Sequence, residues 1–286
     1  MRYQFIDKQK KTWPVILMCV VLEVSRTGYY HWRQRVPGPR TLSNQHLDEQ
    51  IQRVFKRHRG RYGVPRITEE LNDEGIPCNE KRVARRMQIL ELKGCQAKKF
   101  KVTTDSEHDM PVAPDLLCQD FTAERPNQKW VSDITYVWTQ EGWLYLAVVM
   151  DLYSRAIIGW SMNKRMTQQL VCDALVMALF RRGFPKGVII HSDRGSQYCS
   201  KRYQRLIKLN QLYCSMGRKG CCYDNAAMES FFHTLKVEMI HRENYVTRDH
   251  ARHSIFEYIE IYYNQCRRHS AIGYSIPMLF EADNAA

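Results

Sequence analysis

Three acids, Asp133, Asp193 and Glu229, stand out for the chemistry they could do together. Each sits in its own dense motif: WVSDITYVW at 130–138, HSDRGSQY at 191–198 and DNAAMESFFHTLKVE at 224–238. Between Asp193 and Glu229 lie 35 residues, positions 194–228. Carboxylates drawn from separate elements suit hard divalent cations, which take oxygen ligands and keep room for substrate phosphate. Two such ions can clamp the attacking and leaving oxygens of an in-line displacement. The pattern therefore predicts an enzyme that cuts and joins nucleic-acid phosphodiesters, with two Mg²⁺ or Mn²⁺ ions held by Asp133, Asp193 and Glu229. Carboxylates alone do not choose between those metals.

The elements needed to bring these acids together are legible. Residues 130–138, 143–151 and 154–162 read as three strands of an antiparallel meander, rich in branched and aromatic side chains and joined by short turns. A helix at 168–182 ends before Gly183, and VIIHSD (188–193) reads as a short buried strand. A helix at 203–209, a strand at 212–216 and a long helix from 225 to 240 follow. The order βββ-α-β-α-β-α is that of a ribonuclease-H-like α/β domain. In that topology Asp133 lies on the first strand and Asp193 at the end of the adjacent fourth, where open α/β sheets place their ligands. Glu229 would project from the helix after the fifth strand. Lys236 follows Glu229 by seven residues, two helical turns, and so shares its face.

Charge points to the same partner. Lys and Arg number 43 against 30 Asp and Glu, giving +13. Residues 1–110 carry 22 basic and 13 acidic side chains, so 22 − 13 = +9 of that excess. A basic half is the footprint expected of a polyphosphate partner, here double-stranded DNA. Residues 1–36 read as a helix-turn-helix-like unit with Ser25 as an N-cap and Arg26 and Arg33 on its second helix. PGPR (37–40) is a breaker, and 41–93 reads as a second basic helical unit. There Asn79 caps a helix over 80–92 that buries Val83, Met87 and Leu90 and sets Lys81, Arg82, Arg85 and Arg86 beside that face, suited to DNA. Residues 94–125 lack periodicity and read as a linker, 126–240 as the catalytic core and 241–286 as a helical basic tail. In the tail Arg267 and Arg268 are assigned to DNA, with bracing of the catalytic domain as the other role open to them. For His191, Gln197 and Tyr198 contact with DNA or phosphate and a structural role stand equal, whereas Asn225 is first of all a helix cap and Trp130 core.

Ten Cys residues form no C-x-x-C, and Cys221 and Cys222 are adjacent, so reduced thiols and a cytoplasmic setting are expected. The apolar run VILMCVVL (15–22) is far too short to span a bilayer, and no membrane partner is expected.

These motifs, with WPVILMCVVLEVSRTGYYHW near the start and YYNQCRRHSAIGYSIPMLF at 262–280, resemble the OrfB products of bacterial insertion-sequence family three. Those transposases have a retroviral-integrase-like core, and the resemblance spans nearly the whole chain. It implies that Asp133, Asp193 and Glu229 are a DDE triad and that Lys236 is the basic residue accompanying it. It also implies nicking at element ends, transfer of a 3′-OH to a target strand, and movement through a circular intermediate. A partner OrfA, or an OrfA fusion, would supply the main end-recognition helix-turn-helix, and a homo-oligomer on DNA at the nucleoid would bring two ends together. A different ribonuclease-H-fold nuclease, or a non-catalytic DNA-binding regulator of transposition, are the competing readings. The basic N-terminal half speaks against the first and the intact triad against the second.

Overall fold

The computed structural model describes residues 1–95, 113–217 and 225–284. Cys221, Cys222 and much of the expected linker lie outside them; the eight described cysteines are all free thiols.

The N-terminal unit has three helices, α1 (Arg2–Gln9), α2 (Val15–Val21) and α3 (Arg26–Gln34). Ile6, Met18, Cys19 and Tyr29 form its small core. Ser25 caps α3 as its sequence suggests, accepting from the Gly28 N–H at 3.1 Å. Helix α1 has no counterpart in the sequence reading, because only Ile6 of its eight residues is buried and no apolar stripe announces it.

The second unit packs α4 (Pro39–Arg57), α5 (Val64–Asp73) and α6 (Glu80–Ile89) around Leu47, Ile51, Val54, Tyr62, Ile67, Leu71, Val83 and Met87. The PGPR breaker lies between the two units, and its Pro39 already opens α4. Pro39 occupies the first turn, where a missing N–H leaves no bond unmade. Asn79 caps α6, accepting from the Arg82 N–H at 2.8 Å.

The core is a five-stranded sheet in the order β3-β2-β1-β4-β5. Its strands are β1 (Lys129–Thr139), β2 (Gly142–Asp151), β3 (Ile157–Asn163), β4 (Ile189–Ser192) and β5 (Tyr213–Met216). The first three are antiparallel, while β4 runs parallel to β1 and to β5. Alternation along β1 divides two hydrophobic layers. Val131 and Val137 face α9 (Ala226–Glu238) with Met228, Phe231 and Leu235. Trp130 faces the other way, with Leu170, Ala174 and Leu175 of α7 (Gln168–Arg181) and Tyr203 and Ile207 of α8 (Lys201–Leu209). Strand β3 and α7 touch so closely at Gly159 that an added Cβ would collide with the Ala174 carbonyl and lie 2.8 Å from the Ala178 side chain.

Two segments read as peripheral belong to this core. Leu117, within the expected linker, is buried in the same layer as Met228. The expected tail contributes Tyr245, Ala251, Ile255, Tyr258, Ile259 and Tyr263 to that layer through α10 (Arg248–Phe256) and a π-helical stretch, Glu257–Tyr263. The last helix, α11 (Pro277–Asp283), lies against the β2–β3 connection, its Phe280 ring 5.2 Å from that of Tyr153. Its Glu281 receives both Arg182 nitrogens, at 2.7 and 2.5 Å, and the Ser154 hydroxyl, beside the buried Asp151. Among the described residues no helix is long and apolar enough to cross a membrane.

Candidate active site

Strand β4 pairs with β1 only through Lys129, Trp130 and Val131. Beyond Val131 β4 no longer pairs with β1, at the point where the strand order reverses, the usual ligand position in such sheets. Asp133 stands two residues past the last pair, and Asp193 immediately follows β4. Local backbone bonds orient both carboxylates: the Ile134 N–H donates to Asp133 at 2.7 Å and the Gly195 N–H to Asp193 at 2.9 Å. Glu229 projects, exposed, from the first turn of α9.

The three acids share an electrostatic environment. Burial pushes the Asp133 carboxyl well above the usual carboxylate range, and the charge of Asp193 and then of Glu229 pushes the same way. The Ile134 N–H and the Lys236 ammonium only partly oppose this. Burial also raises Glu229. Lys236 is lowered by burial, against the pull of Asp133, and its Nζ lies 5.2 Å from the centre of the Tyr136 ring. Among the described residues no three His, Cys, Asp or Glu side chains close around one point as a ready metal cage. The carboxylates thus feel one another without forming a completed ligand set.

The residues around the acids brace β1. The Tyr198 hydroxyl and Ser132 Oγ are 3.0 Å apart, and Tyr198 is fully buried, so it supports the strand from within rather than reaching for DNA. Asn225 stands at the N-cap position of α9 but caps no N–H. Its side chain donates instead to the Ser132 carbonyl at 3.4 Å, tying the Glu229 helix to the Asp133 strand. His191 is fully buried, with Nδ1 2.8 Å from Ser215 Oγ on β5 and 3.9 Å from Asp115. Gln197 donates to the Met166 carbonyl at 3.3 Å. Trp130 is core, as its sequence suggests.

The basic residues expected on DNA divide into two groups. Arg26, Arg33, Lys81 and Arg85 are exposed. Arg82 is instead bound to Ser43 and Asn44 of α4, and Arg86 to Asp48 at 2.7 and 2.5 Å. These two hold α6 against α4. In the tail the assignment to DNA is corrected. Arg267 is 2% exposed and locked onto Glu238. Arg268 binds Asp73 at 2.6 Å and the Tyr274 carbonyl at 3.2 Å. The buried Glu238 holds Arg267 and the exposed Asp73 holds Arg268, so both guanidiniums brace the domain.

Glu238, nine residues past Glu229, was missed in the sequence. It is buried and receives Arg267 through two nitrogens and the Tyr258 hydroxyl at 2.8 Å, with Arg66 of the second helical unit at 3.7 Å. Arg61 of that unit donates to the Glu238 carbonyl at 3.2 Å and stacks 4.2 Å from the Tyr262 ring centre. The available signal was an acid in the last turn of a helix, where the dipole disfavours it unless a cation is near.

Comparison with known proteins fits this geometry. The family model described as Integrase core domain matches residues 123–222, and a second model of the same description matches 229–284. An HTH-like domain model matches 43–100. The chain is 51% identical over 288 residues to "Transposase InsF for insertion sequence IS3A" of Escherichia coli (strain K12), covering all of both chains. It is 48% identical over 263 residues to "Insertion element IS600 uncharacterized 31 kDa protein" of Shigella sonnei, covering 92% of this chain and 97% of that one. Among solved structures, the HTLV-2 integrase catalytic core domain in complex with magnesium (trimeric form) aligns at 17% identity with a TM-score of 0.43, over 56% of this chain and 99% of that chain. Identity above one half along the full length, joined to the integrase-core matches over both the sheet and the Glu229 helix, places the chain in the IS3 family of insertion-sequence transposases.

Proposed function

We propose that this chain carries the DNA-cutting and DNA-joining steps of an insertion element, with Asp133, Asp193 and Glu229 as its catalytic, metal-holding acids. The observation that carries this is the placement of Asp133 two residues past the last β1–β4 pair, beside Asp193 at the end of β4, with the charges of Asp193 and Glu229 acting on it. A half-buried carboxylate under two further negative charges is unfavourable alone and becomes favourable when cations neutralise it. The all-oxygen donor set fits Mg²⁺ or Mn²⁺ in a two-ion arrangement. Such ions supply Lewis acidity at the phosphate and stabilise charge on the attacking and leaving oxygens.

The chain's own groups have distinct tasks. In the first step water attacks phosphorus at an element end, the bond to the 3′ oxygen breaks, and a 3′-OH is released. In the second, that 3′-OH attacks a target phosphodiester and the target's own 3′ oxygen leaves with a proton. One phosphodiester is exchanged for another. Lys236, beside Asp133, is placed to hold a phosphate or sugar oxygen of the reacting strand. The exposed Lys81, Arg85, Arg26 and Arg33 contact double-stranded DNA through its backbone. An OrfA product, separate or fused upstream, provides the principal end recognition, and copies of the chain assemble on paired ends in the bacterial cytoplasm at the nucleoid.

The test is strand cleavage and joining on labelled DNA bearing the element ends, with Mg²⁺, for this chain, an OrfA fusion and Glu229→Gln of each. Activity that needs metal and disappears in the Gln variants supports the proposal. Activity that survives Glu229→Gln overturns the triad, and cutting without joining favours a plain nuclease.

A further inference from the structure

We propose that Tyr136, Trp138 and Trp143 form a stacking platform for nucleobases freed from the double helix next to the three carboxylates. The proposal rests on the strand-transfer reading and adds to it a site for unpaired bases.

Strand β1 continues past Asp133, beyond its last pair with β4 at Val131. On the face opposite Val137 it presents Tyr136 and Trp138, and Trp143 is the cross-strand partner of Trp138 on β2. A solvent-facing strand end ordinarily carries polar residues, because exposed rings gain nothing from water. Here the three rings are 44%, 59% and 43% exposed. They meet edge to face, Trp138 and Trp143 at 4.8 Å and 72°, Tyr136 and Trp143 at 5.0 Å and 83°. In this arrangement the rings hold one another upright and leave flat surface free for a further ring.

The hairpin that carries them is fixed in advance. Thr139 Oγ1 donates to the Gly142 carbonyl at 2.6 Å, and the Gln140 N–H donates to the Tyr245 carbonyl at 3.0 Å. Arg248 clamps the turn, its N–H donating to Glu141 at 2.9 Å and its Nε to the Trp143 carbonyl at 3.1 Å. A platform that does not reorganise loses little entropy on binding.

Position and charge select the occupant. Tyr136 follows Asp133 by three residues, roughly 10 Å along the strand and on its other face. The Lys236 ammonium lies 5.2 Å from the centre of the Tyr136 ring and also acts on Asp133, so one cation links the acid to the aromatic face around the strand edge. Aromatic rings beside a cation suit a base with its phosphate, and such stacking tolerates any base because each has a π-face. Bases that lose their partners near the reacting phosphate would therefore land on this surface.

The experiment measures binding of a 12-nucleotide oligothymidylate and of a duplex of the same length, without divalent metal so that no chemistry occurs. The proteins are the full chain, Trp138→Ala and Trp138→Phe. The expected result is a loss of about tenfold in single-strand affinity for Trp138→Ala, most of it restored by Phe, with duplex affinity unchanged. Equal loss on both DNAs, or single-strand affinity unchanged within about twofold, overturns the platform. A change of oligomeric state in Trp138→Ala with unchanged single-strand binding also overturns it, in favour of a contact between copies. Because the assay involves no cutting, inactivity of the triad would leave its outcome untouched.

Discussion

The Arg267 guanidinium grips the Glu238 carboxylate with both Nε, at 3.1 and 3.0 Å from its two oxygens, and Nη2, at 2.9 Å from one of them. Both groups are buried, so neither has water to fall back on. The pair joins the C-terminal segment to the helix that bears Glu229. It also draws in Arg66 and Arg61 of the second helical unit.

Arg267→Ala therefore strands a buried carboxylate and is expected to cost about 3–5 kcal/mol of stability. Urea unfolding read by near-ultraviolet circular dichroism measures this. A loss below about 1 kcal/mol would mean that water reaches Glu238 once the arginine is gone.

His269 gives a pH dependence with a definite sign. Burial, then the charges of Arg267, Arg155 and Arg66, pull its imidazole down from 6.5 to about 3. The folded protein thus refuses a proton that the unfolded chain accepts. Its contribution is complete above about 6.5 and is lost as pH falls from there toward about 3. His269→Asn, which keeps an acceptor for the Ala271 N–H, should flatten that part of the stability curve. Melting temperatures across the window decide it. Parallel curves for the two proteins would contradict the assignment.

Metal dependence should appear in folding as well as in catalysis. Without divalent ions Asp133→Asn removes an unfavourable half-buried carboxylate under the charges of Asp193 and Glu229, and the variant should melt above the unsubstituted protein at pH 7. Mg²⁺ should raise the melting temperature of the unsubstituted protein and leave that of Asp133→Asn in place. Strand transfer by the variant should fall to background. An equal Mg²⁺ effect on both proteins would remove Asp133 from the metal site.

The basic residues of α6 should separate by function. Lys81→Ala and Arg85→Ala, both exposed, are expected to weaken DNA binding and to reduce the salt dependence by about one phosphate contact each. Arg86→Ala, which frees Asp48, should mainly destabilise the helical unit. Salt titrations with unfolding curves distinguish the two. A salt slope unchanged in Lys81→Ala and Arg85→Ala would turn that face away from DNA.

The sheet was legible because β1, β2 and β3 are runs of branched and aromatic residues joined by short turns, and because Asp193 follows a strand end and Glu229 sits in a first helical turn, with Asp133 inside β1. Helix α1 was not, since one buried side chain, Ile6, leaves no periodic stripe. The tail misled for another reason. A run such as Arg267-Arg268-His269 advertises positive charge but not whether phosphate or an internal acid will neutralise it. The acids that do so, Glu238 and Asp73, lie 29 and 195 positions away in the chain. Local patterns record secondary structure well, and they record long-range charge pairing poorly.

The ion pair between Arg182 and Glu281 has a consequence for biosynthesis. A ribosome delivers α7 and the first strands early, yet the carboxylate that receives Arg182 and Ser154 emerges about a hundred residues later. Until then Arg182 has only the buried Asp151 nearby, so this corner at the end of α7 completes its charge pairing late, through a segment distant in sequence from the strands it fastens.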